Sequence, residues 1–557
     1  MNIFMRIWCF AALSFPVSFS VTDAMVADPD PIFYAMNEEL SRSMDQMKID
    51  VFDPPYYINY QLRHHEYMEV AGSFGALTHS DHQNFRTLFV DVRVGSQEFD
   101  SFTPGSHQLK SHQIIPLDDD PEVLRRALWY ETDLRYKQAI MNFLRKKGRF
   151  ISGVEKHNLA DFSSGNVPIE HIDPVVLLSE KISEWESQVR KVSAIFKSAP
   201  DIEKSQVKFR ADRFTRYFYD SEKNKIRTSR IHYQVILEVW AKSESGDSIH
   251  DQEPFYFSNI NNFPSSDELV EKAEMLIEEV GRLQSATRMD PYVGPAIFSP
   301  EAAAVLFHEA IGHRLEGDRL RQANDGKTFM KKIGAQILPG FLSVVDNPNL
   351  DSFAGHDLLG YYKYDDEGQK AEEVVLVDQG RLKNFLMSRT PVLGFFRTNG
   401  HARSDGQKRP MSRMSNVIVR SEKRLSPQQL KTKLIEEIQK QNKPFGLLIE
   451  KISGGETHTG TDAYQVFKGK PLYLRKIYPD GREELVSGVD FVGTPLSMVS
   501  KVVATGDDEM VINGYCGAES GLIPVTSITP SILLTEVELQ GAHEKNLRRP
   551  ILPPPEL

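Results

Sequence analysis

Hydrophobic residues spaced three and four positions apart predict long helices in the first half of the chain. Residues at this spacing line one face of a helix, and charged residues occupy the opposite face. Two consecutive prolines, Pro54 and Pro55, end the first of these patterns. We predict four helices in this half: Ile32–Ile49, Pro121–Lys147, Asp173–Lys197 and Ser265–Thr287.

Strict alternation of apolar and polar residues, which is typical of strands, occurs between these helices. The stretch Tyr56–Val94 contains several alternating runs, including RTLFVDVRVG. A second stretch, which begins VKFRADRF and ends EVWAKSESG, predicts two long strands joined by a turn at Asp220–Lys225. The first half of the chain is therefore predicted to be an α/β domain.

The pattern changes near Met289–Ile297, where two prolines and a glycine indicate a domain joint. Beyond this point glycine is frequent, the apolar runs are short, and a helix is predicted at Ser426–Gln441. We predict an α+β fold, in which the N-terminal α/β domain precedes a mainly antiparallel β domain. The predicted boundaries are 1–27 for a signal peptide, 28–290, 291–545, and 546–557 for a proline-rich tail.

The N-terminal segment has the composition of an export signal. Arg6 precedes Ile7–Phe19, a mostly apolar run that is too short and too interrupted for a membrane-spanning helix. Small residues offer cleavage sites near Ser20, Ala24 or Ala27. We expect an exported protein, periplasmic or secreted, with no membrane span after cleavage.

The net charge argues against one class of partner, and the cysteine count draws attention to one thiol. The 557 residues carry a net charge of -11, which argues against a nucleic-acid partner. The chain has 2 cysteines, and Cys9 lies in the segment that we expect to be removed. Cys516 would then be a lone thiol in an exported protein, where a thiol is a liability unless it is buried or bound.

One predicted helix carries candidate chemistry. Ser299 is a good N-cap, and Pro300 suits the first helical position. The run Ala302–Phe307 is wholly apolar, so we expect the helix to be buried. His308 and His313, with Glu309 between them, follow directly within this apolar setting. Buried polar groups need partners, and a metal ion is one of the best.

The two histidines are five residues apart, whereas the zinc-protease motif H-E-x-x-H places them four apart. Successive residues of an α-helix are rotated by about 100°, so residues five apart point in different directions. A π-bulge would realign His308 and His313, and so would a helix that ends before His313. Gly312 is the position where either distortion is easiest.

The residues alone leave several alternatives open. The two histidines are either metal ligands or buried groups satisfied by hydrogen bonds. Glu316 is a good candidate for a third ligand because it is close in sequence, and four other residues have suitable chemistry: His356, His401, His458 and Cys516. His64–His65–Glu66 and His79–His82 also resemble ligand groups in composition, but we predict that they lie on the surface.

A basic loop also has two interpretations. It is either a solvated surface or a site that holds a peptide carboxylate or carbonyl. Its cations are Arg397, Arg403, Lys408, Arg409 and Arg413.

The second half of the chain resembles the TldD/PmbA family of metalloproteases, specifically the active TldD-like type. HEAIGHRLEGD is similar to the family's H-E-x-x-x-H signature, and GHARSDGQKRPMSRMSN is similar to its arginine-rich loop. GLLIEKISGGETHTGTDAYQVF resembles its glycine-rich strand pair. YCGAESGLIPVTSITPSILLTEVEL matches its closing segment and carries its cysteine. The resemblance covers most of Pro291–Gln540.

The resemblance implies a role for each matching residue. His308, His313 and Cys516 would hold one Zn²⁺ per chain, and Glu309 would be the general base. Arg413 and His401, in the arginine-rich loop, are the candidates for substrate binding. The resemblance also implies a substrate of unfolded or extended peptides. The expected assembly is a homodimer or a heterodimer with a paralogue.

Two other functions remain open at this stage. The first is a non-catalytic metal-binding scaffold subunit of a TldD-like complex, in which zinc is structural. The second is hydrolysis of a non-peptide amide by the same metal centre.

Overall fold

Long antiparallel strands with helices on one face form the first part of the chain. The computed structural model describes residues 30–103, 112–153, 158–165, 167–322, 327–457, 467–493, 495–542 and 552. The elements of the first part, in chain order, are α1 (Pro31–Gln46), β1 (Pro55–Ser73), β2 (Ala76–Val94), β3 (His112–Ile115), α2 (Pro121–Ile151), β4 (Glu170–Ile172), α3 (Ile182–Ser193), β5 (Ile202–Asp220), β6 (Lys225–Lys242), β7 (Ser248–Phe257) and α4 (Ser266–Gln284).

The strands of this part form one sheet in the order β3-β2-β1-β5-β6-β4, and β7 also pairs with β6. Alternation along each strand gives the sheet two different faces. On one face, apolar residues such as Leu62, Phe209 and Val235 pack against the helices. The opposite face carries polar residues, including Arg63 and Arg230. This polar face is directed toward the second part of the chain.

The second part contains short strands in mostly antiparallel pairs. Its elements are β8 (Thr287–Arg288), β9 (Tyr292–Phe298), α5 (Pro300–Phe307), β10 (Leu342–Asp346), β11 (Ser352–Phe353), β12 (His356–Asp357), β13 (Val374–Asp378), β14 (Arg381–Leu382), β15 (Ala402–Arg403), β16 (Met411–Ser412), β17 (Asn416–Ser421), β18 (Arg424–Leu425), α6 (Pro427–Lys440), β19 (Gly446–Thr457), β20 (Phe467–Ile477), β21 (Glu483–Ser487), β22 (Val489–Gly493), α7 (Pro495–Val499), β23 (Val502–Gly506), β24 (Met510–Ala518), β25 (Gly521–Thr529) and β26 (Ile532–Gly541).

Two larger sheets organise this second part. One has the order β14-β13-β10-β17-β25-β24, so β24 lies at its edge. In the other, β22 pairs with both β20 and β26, and five strands close into a ring: β26, β9, β19, β20 and β22. Helix α5 packs between these sheets, and its Leu306 and Phe307 are completely buried. The predicted α+β class, with a mainly antiparallel second half, is confirmed.

One predicted helix is shorter than its sequence pattern suggests. The pattern predicts a helix over Asp173–Lys197, but α3 begins at Ile182. Asp173 instead donates its backbone N–H to Arg227 O, and Val176 donates to Ser229 Oγ. Bonds to the edge of β6 therefore hold the preceding residues extended. The helix continues beyond α3 as a 3₁₀ turn, Ala194–Ser198.

Some predictions fall outside the described residues. The signal peptide, 1–27, and His458 lie there, as does the tail 546–557 apart from Leu552. Within the described ranges, no helix combines the length and the apolar character needed to cross a membrane.

Candidate metal centre

The backbone changes its helical form where the histidines begin. Ser299 caps α5 by accepting a hydrogen bond from the N–H of Ala302, and the α-helix ends at Phe307. A π turn, His308–Gly312, continues it, with the N–H of His313 donating to His308 O. This bond spans five residues, which brings the two histidines to the same side. The π-bulge, one of the two predicted distortions, is therefore observed.

Gly312 packs closely against the side chain of Met414 at this turn. A Cβ atom at Gly312 would lie 1.9 Å from Sδ of Met414. The backbone of Gly312 itself has ordinary helical angles, φ -52° and ψ -67°. A larger side chain here would therefore have to displace Met414, although the backbone conformation of Gly312 is open to any residue.

The structure brings His308, His313 and Cys516 into one group. Nε2 of His308 lies 3.1 Å from Sγ of Cys516, and Nε2 of His313 lies 3.3 Å from the same sulfur. The three potential ligand atoms all lie within 4.8 Å of one another. Cys516 comes from the edge strand β24, opposite Ile523 of β25. A strand residue that is 203 positions after His313 in the sequence thus completes the group.

Local charges favour the thiolate form of Cys516. Burial alone would raise the pKa of the thiol, but the charges of His313, His308 and Arg413 outweigh burial and lower it well below its usual range. In the same way, the negative charges of Cys516 and Glu316 outweigh burial and raise the pKa of His313. The group is thus prepared to bind a cation, because a thiolate is the form of cysteine that coordinates metals.

Glu316 lies behind His313 and contacts the ring nitrogen that points away from Cys516. Both of its carboxylate oxygens are 3.2 Å from Nδ1 of His313. Burial opposes ionisation of Glu316, but the charges of His313, Arg319 and Arg413 lower its pKa to about 2. Glu316 therefore orients the imidazole and leaves Nε2 free to bind a metal. As a candidate for the third ligand, Glu316 is on the wrong side of the ring.

Arg413 fixes the cysteine from the other side. Its Nη2 donates to Cys516 O at 2.8 Å and lies 3.2 Å from the sulfur. Its Nε lies 3.4 Å from Glu316 Oε1, and Nη1 donates to Ser520 Oγ and Gly521 O. The side chain is completely buried.

His401 is also completely buried, and its backbone oxygen accepts a hydrogen bond from the N–H of Arg413. Its Nδ1 lies 2.9 Å from Asn399 Oδ1, and its Nε2 lies 3.3 Å from Asp346 Oδ1. We expected Arg413 and His401 to bind substrate, but neither is accessible in this structure. The position of Arg413 is instead that of a residue that positions Cys516.

Glu309 follows His308 in the π turn, and its side chain is nearly buried at 8% exposure. Within the part of the chain that the structure describes, it makes no hydrogen bond to another protein group. Arg314 is a nearby cation: burial lowers the pKa of Arg314, and the charge of Glu309 opposes this effect. The carboxylate is thus not committed to a structural contact.

The remaining ligand candidates lie elsewhere. His356 is exposed on the short hairpin of β11 and β12. On the N-terminal hairpin, His65 pairs with Asp212 at 2.9 Å, and His82 pairs with Glu66 at 2.9 Å. Among the described residues, His308, His313 and Cys516 form a group of three side chains that could ligate one metal ion.

The donor set of this group fits zinc. A tetrahedral zinc ion with bonds of about 2.0–2.3 Å places its ligand atoms roughly 3.3–3.8 Å apart. The observed separations from the sulfur, 3.1 and 3.3 Å, need only small adjustments to reach this range. Two imidazoles and one thiolate are ligands that zinc prefers. Three protein ligands, rather than four, are typical of catalytic zinc sites.

Sequence reasoning missed the ion-pair network that supports the group. Arg319 donates to Glu316 at 2.8 Å and forms a two-bond ion pair with Glu519 at 2.7 and 2.9 Å. The sequence offers one signal for part of it, the spacing of three residues from His313 to Glu316 and from Glu316 to Arg319. Nothing in the sequence pattern connects Arg319 to Glu519, which is 200 residues away.

The second half of the chain is similar to a known family. Residues 292–541 match the family described as PmbA/TldA metallopeptidase C-terminal domain. A metalloprotease of Methanocaldococcus jannaschii is 30% identical over 230 residues, which are 41% of this chain and 47% of that protein. A "Zinc metalloprotease TldD homolog" of Saccharolobus solfataricus is 23% identical over 372 residues, 65% of this chain and 76% of that protein.

A metalloprotease of Archaeoglobus fulgidus is 29% identical over 276 residues, which are 49% of this chain and 59% of that protein. The chain thus spans about half the length of several curated relatives that it matches. These matches support a metallopeptidase family for the second half.

Solved structures extend the likeness in fold to nearly the whole chain. TldE from Thermococcus kodakarensis has a TM-score of 0.62 at 15% identity, and the match covers 91% of this chain and 100% of that one. A putative modulator of a DNA gyrase from Thermotoga maritima MSB8 has a TM-score of 0.62 at 14% identity, with 90% and 100% covered. At this identity, the likeness concerns the fold.

Proposed function

We propose that this protein is a zinc-dependent metallopeptidase that hydrolyses unfolded or extended peptides. His308, His313 and Cys516 hold one zinc ion, and Glu309 is the general base. The observation that carries the proposal is the π turn, which directs both histidines at a buried thiolate. The family match over residues 292–541 and the relatives named as metalloproteases support the same reaction class.

Each residue of the site has a defined part in the mechanism. When bound, zinc would act as a Lewis acid that polarises the scissile carbonyl and lowers the pKa of its bound water to about 7. Glu309 accepts a proton from the attacking water on its carboxylate and delivers it to the leaving amine. Glu316 accepts a hydrogen bond from Nδ1 of His313, so Nε2 is the nitrogen that would give up its proton and bind the metal. Arg413 fixes the position of the Cys516 sulfur.

The setting of the reaction is part of the proposal. We take the protein to be exported, periplasmic or secreted, on the basis of the apolar run Ile7–Phe19. A homodimer, or a heterodimer with a paralogue, follows from the resemblance of the second half to the TldD/PmbA family.

Replacement of Glu309 by glutamine tests the catalytic role. The Glu309→Gln variant is expected to keep its zinc and to lose about 10²–10⁴-fold of its casein and peptide hydrolysis, since it lacks a general base. The matched control is Glu301→Gln, which makes the same change in the first turn of α5. Glu301 lies seven residues before His308. Hydrolysis by this control should stay near the wild-type rate.

The alternative function, a non-catalytic scaffold subunit with structural zinc, predicts a different result. Zinc-loaded wild type would then hydrolyse neither casein nor peptides, and Glu309→Gln would change nothing that is measured. Hydrolysis of non-peptide amides but not of peptides would indicate the third function considered above.

A further inference from the structure

A large cavity separates the two parts of the chain. Its volume is about 1280 Å³, which exceeds the roughly 300–1,000 Å³ that is usual for a small-molecule site. The floor is the polar face of the N-terminal sheet, and the roof consists of loops of the second part together with β24 and β25. The space is therefore large enough for several residues of an extended peptide.

The cavity and the metal centre share the hairpin of β24 and β25. Neighbouring residues of a strand point to opposite faces. Cys516 points to the histidines, whereas Tyr515 lines the cavity and lies 6.0 Å from Tyr256 of the floor, measured between ring centroids. Arg403, also in the cavity wall, donates to Met414 O, the residue that follows Arg413. The two sites are thus direct neighbours in the fold.

The charges on the cavity wall do not balance. The wall carries seven arginine and lysine side chains and six aspartates. Burial and the charge of Glu367 raise the pKa of one of these aspartates, Asp365, to about 8, so it is mostly neutral at pH 7. Asp366 is already shared by Arg63, at 2.8 Å, and Arg216. The wall therefore has an excess of positive charge.

Arg230 has the largest unused capacity for hydrogen bonding in this wall. Its Nη1 donates to Tyr361 O at 2.7 Å, and within the described ranges neither Arg230 nor Arg403 has a carboxylate partner. A guanidinium group has five N–H donors. Burial and then the charge of Arg403 lower the pKa of Arg230 to about 10, and the more distant charge of Asp366 only partly opposes this shift.

His232 adds a second unpartnered group next to Arg230 on the same face of β6. Its side chain is 5% exposed, and Nδ1 has no hydrogen-bond partner among the described residues. Burial and the charge of Arg230 lower the pKa of His232 to about 3, so the imidazole is neutral. A buried ring nitrogen without a protein partner is costly, and a bound ligand that contacts it would remove that cost.

We propose that this cavity binds the carboxylate of a peptide, with Arg230 as the main anchor and His232 as a second contact. A guanidinium group binds a carboxylate with two parallel hydrogen bonds, and an arginine with no carboxylate partner among the described residues favours an anionic ligand. The inference rests on the proposed function for its choice of a peptide as the ligand. The carboxylate is either the C-terminal group or an acidic side chain.

Calorimetric titration of peptides into the full chain tests this site. The protein carries Glu309→Gln, so that the peptides are not cleaved during the measurement. The parent peptide is Ala-Ala-Phe-Ala-Ala-Glu with a free carboxyl terminus. Three relatives of it are used: the C-terminal amide, the peptide with Gln in place of Glu, and the peptide with both changes. We expect the doubly neutral peptide to bind at least about tenfold more weakly than the parent.

The two single changes identify the source of the carboxylate. A loss with the amide indicates the C-terminal group, and a loss with Gln indicates the side chain. Arg230→Gln should weaken binding of the parent peptide at least about tenfold and leave the neutral peptide unaffected. Arg230→Lys should restore part of the affinity. Lys208→Gln removes the same charge elsewhere in the cavity wall and should have less than about a threefold effect.

Three results would overturn the inference: equal binding of the parent and neutral peptides, equal effects of Arg230→Gln and Lys208→Gln, or no binding of any peptide. Zinc content and casein hydrolysis are measured separately on protein with Glu309 intact. Carboxylate binding that depends on Arg230 in a protein without hydrolysis would refute the proposed function and leave the carboxylate site standing.

Discussion

The metal centre and the neighbouring cavity use arginines in opposite ways. At the metal centre, Arg413 and Arg319 are both paired with Glu316, and Arg319 is also paired with Glu519. In the cavity, Arg230 and Arg403 contact backbone carbonyls and have no carboxylate partner among the described residues. The two regions lie on opposite sides of the hairpin of β24 and β25. The arginines therefore differ in their pairing although they are close together in the fold.

Protein carboxylates already pair with the arginines of the metal centre. Arg230 and Arg403 of the cavity have no such partner among the described residues, so they can bind an anionic ligand. Paired charges around Cys516 fix its position before a metal binds, which is the usual arrangement of groups that support metal ligands. Arg230 in the cavity has N–H donors that no described protein group accepts, and a bound carboxylate would accept them. Substitutions at the metal centre should therefore change stability and metal affinity. Substitutions in the cavity should change ligand affinity.

The largest effect is expected at Arg413. Arg413→Met leaves the buried Glu316 without one of its cations and removes the bonds to Cys516 O and Ser520. Breaking a buried ion pair from one side costs about 3–5 kcal/mol of the free energy of unfolding. Denaturant titration of the metal-free protein measures it. The control is Arg420→Met, an exposed arginine of β17, with an expected change within about 0.5 kcal/mol.

A smaller effect on metal binding is expected at Glu316. Glu316→Gln removes the carboxylate that orients His313, and zinc affinity should fall about 10–100-fold. Competition with a chelating indicator gives the affinity. Glu519→Gln is the matched control, because Glu519 contacts Arg319 and has no bond to His313. Equal losses in the two variants would show that the charge network, rather than orientation of the ring, controls the affinity.

Gly312→Ala tests the packing of the π turn. The new methyl group must displace Met414, and overpacking of this kind costs about 1–3 kcal/mol. Thermal and denaturant unfolding measure the loss. Gly281→Ala in α4 is the control, since a Cβ atom there meets no heavy atom within 4 Å. That variant should be slightly more stable than wild type, because alanine favours a helix more than glycine does.

The smallest effect on stability is expected at Arg230. Arg230→Met loses the bond to Tyr361 O, but it also removes repulsion from Arg403, so the free energy of unfolding should change by less than about 1 kcal/mol. Denaturant titration beside Arg413→Met gives the direct comparison. A loss as large as that of Arg413→Met would mean that Arg230 is a structural group, and the contrast between the two regions would fail.

The amino-acid sequence predicts the local features of this protein better than the distant ones. Ser299 and Pro300 locate the start of the metal-site helix, and the spacing of His308 and His313 predicts its distortion. Cys516 is different: no pattern near it identifies a ligand, and only the resemblance to a family selects it. Its position depends on the pairing of β24 with β25, which local sequence does not determine.

Burial and long-range pairing explain the features that the sequence pattern does not reveal. A run of arginines in a loop is usually solvated, or it faces a ligand, yet Arg413 is buried under Glu316 and Cys516. His401 is likewise held by Asp346, 55 residues earlier in the chain. The helix predicted to start at Asp173 starts at Ile182, because the edge of β6 offers hydrogen bonds to the extended segment. In each case the deciding partner is distant in sequence.

The central claim is that His308, His313 and Cys516 form a catalytic zinc site. Elemental analysis of purified wild type and of Cys516→Ala, with casein hydrolysis measured on both, tests it most directly. We predict about one zinc per chain in wild type, with zinc and hydrolysis both lost or strongly reduced in the variant. Full zinc content and unchanged hydrolysis in Cys516→Ala would contradict the claim.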